Sequence, residues 1–163
     1  VTIGKARGCG VPVSALASFG DIFFCFSKGE MSSTLGGNPV SSAAVSAVLD
    51  IFEDEKLVEN SRKMGEYIKQ GLIEIQKKCK YLGDVRGMGL VMGLEFVKDK
   101  QSKEPAKEVI KKIIDGCAEK GLLVGAVGKN GNVIRVAPPL VINKELADES
   151  LGIMEEVLLN IEL

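Results

Sequence analysis

Apolar residues recur at helical spacing through most of this chain and give way to short unbroken runs near its beginning. The row Leu57, Ser61, Met64, Ile68, Leu72 and Ile75 advances by steps of three and four, which predicts one face of a long helix. Val109, Ile110, Ile113, Ile114 and Cys117 mark a second helix, closed at Gly121, and Asn143 is placed to cap a last one carrying Ile153, Met154, Val157, Leu158 and Ile161. Strand character lies between them: LGDVRG at 82–87, LVMGLEFV at 90–97, then GLLVGA at 121–126 and NVIRVAPP at 132–139. The last two flank Lys129-Asn130-Gly131-Asn132, where the Asn-Gly step signals a hairpin. Upstream, VPVSALAS at 11–18 and DIFFCF at 21–26 lack amphipathic spacing and read as buried strand or core segments. Without partners inside the chain, Val11, Val13, Leu16, Ile22, Phe23, Phe24 and Phe26 need cover from another chain or stay poorly ordered.

From about residue 50 onward the pattern is α+β, with helices packed on one face of a small, mainly antiparallel sheet. No internal repeat or low-complexity segment interrupts it. A length of 163 residues with 45% hydrophobic content suits one domain, or a small domain with an appendage, around a real core.

Charge and composition narrow the chemistry. With 21 basic and 22 acidic side chains the net charge is -1, which leaves no electrostatic footprint for nucleic acid or an anionic membrane. No apolar run approaches the roughly 20 residues that span a bilayer, and no leader pattern opens the chain. Cys9, Cys25, Cys79 and Cys117 lie far apart without a CxxC step, and there is no histidine, so no metal site is expected; reduced thiols and a cytoplasmic location are. The missing imidazole also removes the triad and Cys-His nucleophile schemes. Any catalysis must rest on lysine, a carboxylate or a cofactor.

The stretch SSTLGGNPVSSAAVSAVLDIFE at 32–53 carries the densest chemical signal. Gly36 and Gly37 permit positive φ and close approach of main chain to a ligand, Asn38 can cap, and Pro39 fits the first turn of the helix that follows. Amide groups at such a helix start point toward negative charge, and Ser33 and Thr34 add hydroxyl donors. A plain loop and cap has the same composition, so the residues alone leave both readings open.

Four landmarks in this order resemble the C-terminal part of the class III pyridoxal-phosphate-dependent aminotransferases, the group of 4-aminobutyrate, ornithine and acetylornithine aminotransferases. They are GKARGCGVPVSALAS at 4–18, TLGGNP at 34–39, DVRGMGLVMGLEF at 84–96 and GNVIRVAPPLVI at 131–142. The resemblance covers essentially the whole chain and implies a fold-type I transferase: residues 1–48 as the end of the large, cofactor-binding domain with the start of a long linking helix, and 49–163 as the small domain. It implies pyridoxal 5'-phosphate as cofactor and Lys5 as the catalytic lysine that bonds its aldehyde. A lysine amine can condense with the aldehyde, yield it to a substrate amine, and then move the substrate α-proton as base and acid. GK alone also suggests a nucleotide loop, but Ala6 stands where Ser or Thr would be required. Thr34 matches a threonine that binds the cofactor phosphate from the neighbouring subunit, with Ser33 beside it, so a homodimer is implied. Arg135 matches an arginine that clasps a substrate carboxylate, which a planar guanidinium does through two parallel hydrogen bonds. On its residues alone, Lys5 is equally a surface lysine and Arg135 an exposed strand arginine, while Arg86 is either a structural ion pair or a neighbour of the site.

The chain departs from the family pattern as well. The aromatic that stacks on the cofactor ring, the main phosphate-cradling loop and the Asp that protonates the ring nitrogen belong to an N-terminal part without counterpart here. Arg7 and Cys9 replace small or apolar residues, and Glu30-Met31 stands where a histidine is common. The expected function is therefore the C-terminal portion of a transaminase moving an amino group between an amino acid or ω-amine and a 2-oxo acid, a fragment or half of a split enzyme, inactive without a complementary N-terminal chain. The alternatives are a non-catalytic remnant that dimerises or binds a partner, and an aminomutase or racemase of the same fold.

Overall fold

The computed structural model describes residues 1–162. They form two compact units, Val1–Lys56 and Leu57–Leu163.

The first unit opens with a two-stranded antiparallel ladder of β1 (Thr2–Ile3) and β2 (Ala15–Leu16), closed by the Ala17 amide donating to the Val1 carbonyl at 2.9 Å. A 3-10 turn, Ala6–Gly8, lies between the two strands. The strand reading of residues 11–18 is thus corrected to the two residues of β2. The buried-strand reading of 21–26 is overturned: Gly20–Cys25 is a 3-10 helix with no buried residue, and Phe24 is 81% exposed. An apolar run this short has the same composition in a strand, a helix turn or a docking surface, and period alone cannot separate them. Helix α1 (Pro39–Asp54) begins where the glycine, asparagine and proline signals place it, with Asn38 Oδ1 accepting from the Ser41 amide at 2.9 Å.

The second unit carries the core. Helix α2 (Leu57–Lys78) leads into β3 (Leu82–Met88) and β4 (Val91–Phe96), then α3 (Lys107–Glu119), β5 (Gly125–Val127), β6 (Val133–Val136) and α4 (Lys144–Leu159). The sheet order is β3-β4-β6-β5, antiparallel throughout, with a register irregularity between Leu82 and Asp84. Helix α2 packs on β3 and α4, and α3 packs on α4, β4 and β5. The apolar rows read from the sequence become the shared interior: Leu72, Leu82, Met92, Leu94, Phe96, Ile113, Ile134 and Leu158 are all fully buried. Each such side chain withdrawn from water contributes roughly 1.5–3 kcal/mol. One contact admits only glycine, because a Cβ on Gly65 of α2 would lie 2.3 Å from the Gly89 carbonyl oxygen in the β3–β4 turn. The hairpin predicted at the Asn-Gly step joins β5 to β6, but β5 is shorter than GLLVGA and leaves 122–124 outside the ladder.

Side chains tie the remaining loops to the helices. Asn143 caps α4 through the Leu146 amide at 2.9 Å, and Asn60 Nδ2 donates to the Leu140 and Ile142 carbonyls at 2.7 and 3.1 Å. The nearly buried Asn132 donates to the Phe96 carbonyl at 2.8 Å. Between α2 and α4, the Tyr67 hydroxyl and Lys144 Nζ both donate to Asp148. No described helix is long and apolar enough to cross a membrane.

Candidate functional site

Lys5 occupies the left-handed backbone region, with φ of 65°. An L side chain is strained there, and such residues persist only where the surroundings over-determine them. The lysine lines an open cavity of about 690 Å³ together with Ser14, Ser33, Gly36, Gly37 and Ser42. The cavity is built by two segments of the first unit: the β1–β2 connection supplies Lys5, Val13 and Ser14, and the loop before α1 with the first turn of that helix supplies Ser33, Gly36, Gly37 and Ser42.

Hydrogen bonds brace the second segment, and one ties it to the first. Asn38 Nδ2 donates to the Leu35 carbonyl at 3.0 Å and to Ser41 Oγ at 3.1 Å, and Ser41 Oγ donates to the Pro12 carbonyl at 3.3 Å. Close packing shapes the loop, since a Cβ on Gly36 would stand 2.9 Å from Ser33 Oγ. Lys5 and Ser33 are therefore brought together, whereas Thr34 is exposed and outside the residues that line the cavity. Ser14, Ser41 and Ser42 were missed as candidates; the Asn38 cap, which draws Ser41 and Ser42 into the first turn of α1, was the available signal.

Arg135 lies on β6 between the fully buried Ile134 and the half-buried Val136, so alternation turns its side chain to the sheet face away from the helices. Both of its cross-strand neighbours are glycines, Gly93 on β4 and Gly125 on β5. Among the described residues Arg135 makes no ion pair. Arg86, opposite Gly93 from the other side, differs: it donates to Asp84 at 2.8 Å and Glu95 at 2.5 Å, and these two carboxylates push its pKa up. It reads as a structural clamp between β3 and β4. An apolar hollow of about 350 Å³ is lined by Arg135 together with Leu72, Val124, Val136, Ile142 and Met154.

Residues 1–158 match the family model Aminotransferase class-III. The chain belongs to the class III aminotransferases. It is 40% identical over 148 residues to alanine–glyoxylate aminotransferase 2 homolog 2, mitochondrial, of Arabidopsis thaliana, which covers 91% of this chain and 31% of the relative. It is 36% identical over 162 residues to a leucine/methionine racemase of Thermococcus litoralis, covering 99% of this chain and 36% of that one. Among solved structures, a phospholyase from Arthrobacter in complex with phosphoethanolamine superimposes with a TM-score of 0.93 at 35% identity, over 99% of this chain and 38% of its own. The chain thus spans about a third of the length of these relatives, and class III members perform transaminase, racemase and lyase reactions. The family normally uses pyridoxal phosphate.

Proposed function

We propose that this chain is the C-terminal portion of a pyridoxal-phosphate-dependent transaminase that moves an amino group between an amino acid or ω-amine and a 2-oxo acid. The observation that carries the reading is the cavity shared by the strained Lys5 and the serine-glycine loop before α1. Its donor set suits two ends of the cofactor: an amine for the aldehyde, and hydroxyls with glycine backbone for the phosphate. No acidic side chain lines the cavity, so nothing there serves the ring nitrogen, and that contact is assigned to a complementary N-terminal part. When bound, the cofactor supplies the electron sink for charge at the substrate α-carbon.

The chain's own residues then divide the work. Lys5 would hold the cofactor at its aldehyde end, and its free Nζ would take the substrate α-proton and return it. Ser33 donates to the phosphate, and Thr34, outside its own cavity, serves the phosphate held by a second copy, which makes the working unit a homodimer. Arg135 orients the substrate carboxylate with its paired N–H donors, unhindered by Gly93 and Gly125. Alone, without the complementary part, the chain is inactive. The exposed Phe19, Ile22 and Phe24 favour the second reading, a non-catalytic module that binds a partner.

Reductive labelling separates the two. Purified chain is mixed with pyridoxal phosphate, treated with borohydride, and its labelled lysines are located by peptide mass spectrometry. Preferential pyridoxyl labelling of Lys5, lost in Lys5→Ala, is expected. Labelling spread evenly over the surface lysines would overturn the catalytic reading and leave the binding module.

A further inference from the structure

Ala6–Gly8 is a 3-10 turn set between two residues that are not glycine yet adopt positive φ, Lys5 at 65° and Cys9 at 44°. These two reversals fold the turn back onto the segment before β2. Gly8 is buried, its carbonyl accepts from the Val11 amide at 3.1 Å, and a Cβ built on it would stand 3.0 Å from Val13 Cγ1 and 3.4 Å from Val11 Cβ. Val13 in turn lines the same cavity as Lys5. The turn therefore seats on a wall of the lysine's cavity, at a separation where a methyl group would press on Val13 and force it or the turn to give by a few tenths of an ångström.

We infer that Gly8 is a positioning residue for Lys5: its bare Cα lets the 3-10 turn rest on Val13, and that seat fixes the left-handed backbone from which the Lys5 amine enters the cavity. The inference rests on the reading of Lys5 as the cofactor lysine. A methyl group at residue 8 must displace either Val13 or the turn. Because Lys5 lies three residues before Gly8 in one tight turn, moving the turn moves the amine. The two strained residues mark the conformation as one the surroundings impose, so loosening the seat lets it relax.

The test reads the amine directly, without cofactor. The full chain is reductively methylated with 13C-formaldehyde, and the Lys5 dimethylamine resonance is identified by its absence in Lys5→Arg. In the unsubstituted chain it is expected away from the bulk lysine envelope. In Gly8→Ala it should collapse toward the envelope. Val13→Ile, which crowds the same contact from the other side, should act alike if Gly8→Ala fails to fold. The double variant Gly8→Ala/Val13→Ala, which makes room for the methyl, should restore the original position. A Lys5 resonance that lies within the bulk envelope from the start, one unmoved by Gly8→Ala or Val13→Ile, or one that the double variant does not restore, overturns the positioning role. Failure of pyridoxyl labelling with this resonance still responding would instead strike the cofactor reading and leave Gly8 as the seat of the turn.

Discussion

In residues 57–162, Phe96, Leu94 and Ile113 are buried completely, while in residues 1–56 Phe19, Phe24 and Ile22 stand open to solvent. The first group owes its cover to helices laid across one sheet face, and a Leu or Phe there is held by neighbours on every side. The second group sits in a unit whose only ladder is two residues per strand, too little to enclose an aromatic. Yet the second group shares its unit with the strained Lys5 and the glycine loop. Stability and candidate chemistry are divided between the two regions, so a measurement of global unfolding reports on residues 57–162 and says little about the lysine.

The largest effect should come from the core itself. Phe96→Ala is expected to remove about 3–5 kcal/mol from the urea transition, whereas Phe24→Ala, at 81% exposure, should shift it by less than about 0.5 kcal/mol. Equal shifts would break the division. A finer probe uses one device present in both regions, the asparagine cap. Asn143→Ala, which frees the Leu146 amide, should cost about 1 kcal/mol in the same transition. Asn38→Ala removes the corresponding bond to Ser41 and should leave the main transition in place while increasing amide exchange at the start of α1.

The smallest effect is one of pH. Asp148 is held below the ordinary carboxylate range by hydrogen bonds from Lys144 and then Tyr67, while the Lys144 pKa is raised by the same partnership. A depressed carboxylate contributes stability that is present above its unfolded pKa of about 3.9 and is lost as pH falls through the folded value. On the acid side the α2–α4 tie should therefore weaken below about pH 4. Urea midpoints taken from pH 5 to pH 3 should fall more steeply in the unsubstituted chain than in Asp148→Asn. Parallel slopes would show that the exposed tie contributes nothing, as exposed pairs often do.

The two regions also differ in how much of them could be read from the residues. The faces of α2, α3 and α4 were legible because Leu72, Ile113 and Val157 recur at the helical period, and a burial pattern tied to a period survives any detail of packing. The start of α1 was legible because Asn38 and Pro39 act locally. The run Asp21 to Phe26 was not, since five apolar side chains in six positions satisfy several conformations equally. At the candidate site, Lys5 and Ser33 fall in one cavity, but the role of Gly8 was invisible: it depends on a 3.0 Å approach to Val13 that no spacing rule encodes.

The two glycines beside Arg135 have a thermodynamic consequence. With glycine at both cross-strand positions and no ion pair among the described residues, the guanidinium has no cross-strand side chain to hold it in one rotamer and is free to move. Any anion that captures it must first still that motion, at about 0.5–1.5 kcal/mol for a long side chain. Filling either flank with a small side chain would narrow the sweep and let a designer trade breadth of acceptance for tighter grip.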